Sequence, residues 1–167
     1  MEFEKVLTER FSCRKFKDAN LTQEEINKIL WAANIAPTAK NNQPWHIYVV
    51  QSFEGLKKVD DVTPCRYNAP VCMLVTSDRS KAFTKENGDN TYEMDASIVA
   101  THMMLEATNI GIDNIWVEMF DREKVKETFG IYTEPIMFLM LGHKEDGVEP
   151  SPNHNLRKEI KDMVSYI

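Results

Sequence analysis

The sequence is poor in the residues and runs that mark several specialised classes of protein. Its three cysteines are an odd number without a C-x-x-C spacing, which is typical of a reducing compartment and unlike a disulfide scaffold. None of its six glycines belongs to a G-x-G-x-x-G or G-x-x-x-x-G-K-[ST] motif, so a Rossmann fingerprint and a P-loop are both absent. No apolar run has the length of a membrane-spanning helix, and residues 1–5 lack the basic-then-apolar order of a signal peptide. We therefore expect a cytoplasmic protein with no membrane contact.

The charge balance and the histidines exclude further classes. With 26 acidic against 20 basic side chains the net charge is −6 and no basic stripe is visible, which argues against nucleic acid as a partner. The four histidines show no H-E-x-x-H spacing, so we expect no metal site. No G-x-S-x-G nucleophile elbow occurs either. A length of 167 residues with 43% hydrophobic content suits one soluble domain over residues 1–167.

Hydrophobic periodicity predicts four strands and about six helices that interleave along the chain. A capping box formed by Thr22 and Glu25 begins a helix with i, i+3, i+4, i+7 apolar spacing from Ile26, and Pro37 limits this helix. Helices are predicted over 3–11, 22–36, 53–62, 92–110, 122–129 and 156–167, and strands over 46–50, 70–76, 112–117 and 136–141. The charged stretch 77–90 is predicted to be a loop. Interleaved elements of this kind predict a three-layer α+β or α/β domain.

The predicted helix over 92–110 is the longest, and it is apolar around most of its circumference. Its central residues include Ile98, Val99, Met103 and Leu105. A helix without a polar face must be covered on all sides. In a domain of this size it is therefore either a central helix or one that a partner subunit covers.

Two short polar segments are candidates for a binding site. The first, residues 10–16, carries Arg10, Ser12 and Arg14, and we call it the amino-terminal polar segment. The second, Pro37–Trp45, reads Pro-Thr-Ala-Lys-Asn-Asn-Gln-Pro-Trp, and we call it the proline loop. Its prolines fix their own φ and disfavour helix in the preceding residues, so the loop should be stiff and expose polar groups to a ligand. The alternative for this loop is a plain helix-to-strand connection.

The amino-terminal polar segment, Arg-Phe-Ser-Cys-Arg-Lys-Phe, resembles the R-x-S-x-[RK]-x-[FY] signature of the nitroreductase family of flavoproteins. The proline loop resembles the second signature of that family, P-[ST]-[SA]-x-N-x-Q-P-W, at a similar distance along the chain. Residues 112–121 look like the strand and turn that pass beside the flavin, so the resemblance covers nearly the whole chain. It implies an α+β fold with three α/β/α layers, a central mixed but mainly antiparallel sheet, and a long central helix over 92–110 at a dimer interface.

The resemblance also implies which residues bind the cofactor FMN. Arg10 and Ser12 match positions that hold the phosphate, for which a guanidinium and a hydroxyl are suitable donors. Arg14 matches the cation near flavin N1, and the amides of Glu118 and Met119 match the donors to flavin N5, so no side chain is catalytic. The other implied positions are Trp116 and Val117 beside the ring, Arg157 near the phosphate, Pro37 and Gln43 in the proline loop, and Thr38, Ala39 and Asn41, which would touch the flavin from the other subunit. Plain core packing is the alternative for Trp116, and solvent-exposed charge is the alternative for the arginines.

The function that the resemblance implies is an FMN-dependent oxidoreductase that takes electrons from NADH or NADPH. A ping-pong reaction would pass hydride through flavin N5 to nitroaromatic, quinone or related acceptors, in a homodimer with its flavin sites at the interface. Two alternatives remain. One is a flavin-binding or flavin-handling protein of the same fold that is not a reductase, and the other is a dimeric interaction module without flavin.

Four features depart from the family pattern. Asparagines stand in the stretch 152–157 where many members carry basic residues for the phosphate, which leaves Arg157. Residues 62–68 offer no clean match to the Asn and Lys that some members place beside the ring. The stretch 77–90 is too short for a two-helix cover over the active site. Met119 replaces a common glycine, which disfavours a positive φ in the turn beside flavin N5.

Overall fold

The computed structural model describes all residues from Met1 to Ile167, and its elements follow the predicted order. The α-helices are α1 (Phe3–Glu9), α2 (Gln23–Asn34), α3 (Phe53–Val62), α4 (Tyr92–Asn109) and α5 (Arg122–Phe129). The strands are β1 (Trp45–Val50), β2 (Val71–Ser77), β3 (Asp113–Val117) and β4 (Glu134–Gly142). Short 3-10 turns cover Ala39–Asn41, Pro152–Asn155 and Ile160–Asp162. All four predicted strands and five of the predicted helices are confirmed.

The four strands form one sheet in the order β1-β2-β4-β3, and all three neighbouring pairs are antiparallel. The central strands β2 and β4 are buried almost throughout, which explains their continuous apolar sequences. The parallel component of the predicted mixed sheet is a single bridge between Ser12 and Asn114. This bridge places the amino-terminal polar segment beside β3.

Helices cover both faces of the sheet. On one face Met73 and Leu139 belong to a core shared with α2 and α4. On the other face Leu74 and Phe138 belong to a core shared with α3 and α5. This division follows from the alternation of side chains along each strand. The predicted three-layer α/β/α arrangement is confirmed.

The central helix α4 packs on the sheet through small residues. Ala96, Ala100 and Ala107 are fully buried, so the helix backbone approaches the strands closely. The opposite side is partly uncovered, since Met94 is 61% exposed. Gly111 has φ +82 and turns the chain from α4 into β3. Besides the sheet, α2 and α1 also pack on α4, so the chain leaves only part of the helix surface uncovered.

The predicted terminal helix over 156–167 is wrong. The carboxy-terminal tail, residues 150–167, contains only two 3-10 turns, and its apolar residues Leu156, Ile160 and Met163 are 70%, 73% and 61% exposed. These apolar residues do not pack on the rest of the chain, and an isolated helix of this length is marginal in water. No helix of the chain is both long enough and apolar enough to cross a membrane.

Candidate functional site

The amino-terminal polar segment leaves α1 in an extended conformation beside the sheet. The Cys13 N–H donates to the Asn114 carbonyl at 3.0 Å, and the Phe11 and Cys13 side chains are buried. Successive side chains of an extended chain point to opposite sides, so the residues between the buried ones share the outer side. Those outward residues are the three predicted from the sequence, Arg10, Ser12 and Arg14.

Three arginines at this surface have no carboxylate partner. Arg10, Arg14 and Arg157 take part in none of the ion pairs of the chain, although its net charge is −6. Arg157 donates to the carbonyls of His154 and Leu156, and His154 lies against Thr8, so the tail brings Arg157 toward Arg10. Partial burial and the positive charge of Arg157 lower the pKa of the Arg10 guanidinium from its usual value. Arg14 donates only a long bond of 3.4 Å to the Ser12 carbonyl. Neighbouring unpaired guanidinium groups are suited to bind an anion such as a phosphate.

Arg10 lines a cavity of about 530 Å³ between the end of α1, the start of β3 and the carboxy-terminal tail. Lys144 and His154 line the same cavity. Nε2 of His154 lies 3.3 Å from the Thr8 carbonyl, which holds the tail against α1. Lys144 was not predicted from the sequence, where the available signal was a basic residue just beyond the buried strand β4. The cavity is thus lined by basic groups that attract an anion and by the carboxylates of Glu9, Asp113 and Glu149, which repel one.

The proline loop holds three non-glycine residues in the left-handed region. Lys40, Asn41 and Gln43 have φ of +52, +55 and +48. Such conformations cost on the order of 1–3 kcal/mol each and persist only where the surroundings fix them. The Gln43 N–H donates to Oγ1 of Thr38 at 3.0 Å, so the loop is closed by a bond within itself. The loop is therefore more constrained than a plain connection requires.

Asp95 in α4 fixes the proline loop from outside, and the sequence analysis missed it. It is 2% exposed and is the one charged residue among the buried residues of the chain. Its Oδ1 accepts from the Ala39 N–H at 2.8 Å, and its Oδ2 accepts from the Thr91 hydroxyl at 2.8 Å. Its place in the first turn of α4 lets the helix dipole stabilise the negative charge. The available signal was an acidic residue at the start of an apolar helix, because a buried carboxylate needs specific partners.

The chain beyond β3 offers two free backbone donors. The amides of Glu118 and Met119 donate to no other backbone group. The Trp116 indole is half-buried and donates from Nε1 to Oε1 of Glu118 at 2.5 Å, while Val117 is buried. Met119 keeps a negative φ, as expected where it replaces glycine, and its side chain is 65% exposed. A ligand beside this turn would meet two N–H groups.

The structure brings some of the predicted residues together and separates others. One side of the chain is lined by a row of side chains from Arg157, Arg10, Ser12 and Arg14. This row of arginines continues toward Met119. The five predicted residues of the proline loop, 37–39, 41 and 43, are not part of it. The proline loop is tied to Asp95 near the start of α4, whereas the cavity at Arg10 is lined by Thr108 near its end. Thirteen residues of helix separate these positions, which is roughly 20 Å at 1.5 Å per residue.

Comparisons with known proteins show what the chain is similar to. Residues 7–66 and 64–143 match the family model described as Nitroreductase family. A protein of Archaeoglobus fulgidus, provisionally named NADH dehydrogenase/NAD(P)H nitroreductase, is 32% identical over 85% of both chains. A nitroreductase family protein from Clostridium difficile 630 is 34% identical, and its crystal structure has a TM-score of 0.92 over 99% of this chain and 98% of that one. A provisionally named nitroreductase from Exiguobacterium sibiricum, crystallised in complex with FMN, is 19% identical and shares the fold with a TM-score of 0.86 over 100% of this chain and 98% of that one.

Proposed function

Because this chain belongs to the nitroreductase family, we propose that it is an FMN-dependent oxidoreductase that uses NADH or NADPH as its electron donor. The observation that carries the proposal is the row of unpaired arginines beside two free backbone amides. This set of donors suits a ligand with a phosphate at one end and a polar ring at the other. FMN is bound by the related protein of the same fold from Exiguobacterium sibiricum. Residues 1–167 would act as one FMN-binding domain.

The phosphate of FMN would lie at Arg10, Ser12 and Arg157. A dianion between two guanidinium groups would relieve their mutual repulsion and form charge-assisted hydrogen bonds with both. Lys144 lines the same cavity and adds a further positive charge. Arg157 would thus take the place of the basic residues that the sequence lacks in the carboxy-terminal tail.

The ring of FMN would lie farther along the row. Arg14 would stabilise the negative charge that develops near N1 on reduction, and the amides of Glu118 and Met119 would donate to the N5 edge. Trp116, held by Glu118, would line the ring site together with Val117. When bound, FMN supplies the two-electron chemistry, while the chain orients it and adjusts its electron affinity.

We propose that the second half of each site comes from a partner subunit. Within one chain the proline loop is tied about 20 Å along α4 from the cavity at Arg10, which is too far to reach the phosphate end of the ligand. The face formed by α1, α2 and α4 exposes Phe3, Trp31, Ile35 and Met94 by 66%, 58%, 52% and 61%, an apolar surface that is typical of an interface. A homodimer formed through this face would place Thr38, Ala39 and Asn41 of one protomer over the ring site of the other.

The acceptors would be planar molecules that stack on the exposed ring. Between β2 and α4 the chain forms only a compact turn, closed by a bridge between Thr84 and Asn90, where Nδ2 of Asn90 donates to Oγ1 of Thr84 at 2.7 Å. No helix forms there to restrict access. Nitroaromatic compounds and quinones fit such a site, and the nicotinamide donor would use the same face in turn, which is a ping-pong reaction.

The test is the flavin spectrum of the purified protein before and after each nicotinamide is added without oxygen. We expect FMN to be bound or to be taken up on addition, to be bleached by NADH or NADPH, and to be reoxidised by a quinone. The variant Arg10→Ala should bind FMN more weakly, whereas Lys5→Ala on the exposed side of α1 should bind it normally. A colourless protein that takes up no FMN from an excess would overturn the proposal. Bound flavin that stays oxidised with both nicotinamides would favour a flavin-handling protein.

A further inference from the structure

The segment between α3 and β2 is held in an uncommon conformation. Tyr67 and Asn68 are consecutive non-glycine residues with φ of +54 and +61. Arg66 fixes them by a two-pronged ion pair with Asp60, with Nε–Oδ1 at 2.6 Å and Nη2–Oδ2 at 2.8 Å. Its Nη1 also donates to the Ala69 carbonyl at 3.1 Å, which closes the turn. The strain and the clamp together hold the side chains of this turn in one place.

The turn places a thiol and a phenol between two parts of the proposed flavin site. Sγ of Cys65 lies 3.7 Å from Sδ of Met119, in the turn beyond β3. The Tyr67 phenol is flanked by the Cys65 thiol and by the Arg14 guanidinium. Both Cys65 and Tyr67 are half-buried, so each retains an accessible surface. The pair therefore connects the proposed cation near N1 with the proposed donors near N5.

The phenol is neutral near pH 7 because the ordinary pKa of tyrosine is about 10. The Cys65 thiol beside it, together with partial burial, raises the pKa of the Tyr67 phenol, while the Arg14 guanidinium opposes that shift. A neutral phenol has one O–H to donate and lone pairs to accept. It can accept from Arg14, which otherwise has only the long bond to the Ser12 carbonyl. A long arginine side chain that forms no ion pair needs a neighbouring hydrogen-bond acceptor to hold it in one orientation.

We propose that Cys65 and Tyr67 form the edge of the flavin site between Arg14 and Met119, with Tyr67 as the positioning residue for the Arg14 guanidinium. This inference rests on the proposed function, because it assigns these side chains to the same FMN site. Residues 62–68 showed no match to the Asn and Lys of some family members, so the chain would line this edge with its own chemistry.

The first test is the reactivity of the Cys65 thiol toward a maleimide, with and without FMN. Cys13 and Cys72 are fully buried, so Cys65 should be the residue that is labelled in the folded apoprotein, and Cys65→Ser should abolish labelling. With FMN at about 100 times its dissociation constant, about 1% of sites stay free, and labelling should slow by about 100-fold if flavin covers Cys65. A thiol that fails to react in the apoprotein would overturn the proposal. So would a thiol that reacts at the same rate when flavin fluorescence shows saturated binding.

The second test is the reduction potential of bound FMN in the variant Tyr67→Phe. Loss of the phenol should free Arg14 and lower the ratio of the affinities for reduced and oxidised FMN by about tenfold. A tenfold fall is a shift of about 30 mV for a two-electron couple. The control Tyr132→Phe removes a hydroxyl from a side chain that is 98% exposed, and it should leave the potential unchanged. An unchanged potential in Tyr67→Phe with FMN bound would overturn the positioning role, whereas failure of the wild-type protein to bind FMN would instead overturn the proposed function.

Discussion

The arginines of the proposed site share one feature, which is that none of them has a carboxylate partner. Arg66 and Arg122 are each paired with a carboxylate, at 2.6 Å and 2.7 Å, as is usual in an acidic protein. Arg10, Arg14 and Arg157 are not paired, although acidic residues outnumber basic ones. Charged side chains left without a partner are costly when they are partly buried, and they are often found where a ligand completes the site. Arg79 also forms no ion pair but stacks on the Tyr92 ring, so the arginines of the proposed site differ from it in facing one another along one surface.

We predict that Arg14→Ala lowers the reduction potential of bound FMN. Removing a fixed positive charge near N1 destabilises the reduced, negatively charged ring more than the oxidised ring. Arg14→Lys keeps the charge and should show a smaller shift, and Lys15→Ala, the next exposed residue, should show none. The measurement is a spectroscopic redox titration against a dye of known potential. An unchanged potential with FMN bound would contradict the assignment of Arg14.

We predict that Asp95→Ala loosens the proline loop and weakens FMN binding. The substitution leaves the Ala39 N–H without its acceptor, at a cost of about 1–3 kcal/mol, while three left-handed residues lose their support. Asp95→Asn keeps an oxygen acceptor of the same size and should be milder. The measurements are the dissociation constant of FMN and the rate of trypsin cleavage after Lys40, which is exposed in the loop. Wild-type values of both in Asp95→Ala would show that the loop holds its conformation without this carboxylate.

At the scale of elements, α2 shows how a local capping signal supports a predicted helix. The capping box of α2 is present as predicted: the Glu25 N–H donates to Oγ1 of Thr22 at 3.2 Å, and the Thr22 N–H donates to Oε2 of Glu25 at 2.7 Å. The predicted helix over 156–167 also has an amphipathic pattern, but its apolar residues are exposed, Glu159 makes no side-chain cap bond, and it forms no α-helix. Periodicity alone therefore did not decide whether a helix forms.

We predict that the contribution of Glu25 to stability depends on pH. Hydrogen bonds from the Thr22 backbone and side chain lower the pKa of the Glu25 carboxyl in the folded protein. A lowered folded pKa stabilises the fold above the unfolded pKa of about 4.3, and this contribution is lost as pH falls through the folded pKa. Glu25→Ala should therefore lower the free energy of unfolding by about 1 kcal/mol at pH 7, and the difference should shrink below pH 4.

The measurement for Glu25 is urea unfolding at several pH values and one fixed protein concentration, because a dimer makes stability depend on concentration. Glu25→Gln keeps a neutral acceptor for the Thr22 N–H and should lose less at pH 7 than Glu25→Ala. A penalty for Glu25→Ala that is the same at pH 3.5 and pH 7 would contradict an ionic contribution.

At the scale of the whole molecule, α4 separates the two halves of the proposed site. The row of arginines begins near its end and the proline loop is tied near its start, so in the proposed homodimer the second copy of the chain would supply the proline loop of each site. The exposed apolar face and the exposed tail give that copy a surface to contact. A closed dimer with two-fold symmetry would then contain two equivalent sites.

We predict that two inactive variants, Arg10→Ala and Asn41→Ala, restore activity when their subunits are mixed. In a hybrid dimer one site carries both changes and the other carries neither. Random exchange makes half of the dimers hybrid, so about a quarter of the sites should be intact. The measurement is NAD(P)H oxidation after the mixed chains are unfolded and refolded together, with each variant refolded alone as the control. If both residues instead serve a site within one chain, activity should not recover, even when tagged hybrid dimers are isolated.

The sequence by itself determined the order of elements, the three layers and the two polar segments, because buried strands, a capping box and prolines act locally. It also pointed to Arg10 and Arg14, through the resemblance of the amino-terminal polar segment to a family signature. Only the tertiary structure decided that Asp95 holds Ala39, that Arg157 comes near Arg10, and that Cys65 and Tyr67 lie between Arg14 and Met119. These contacts join residues far apart in the chain, and no spacing or propensity within a short window records which distant side chains the fold brings together.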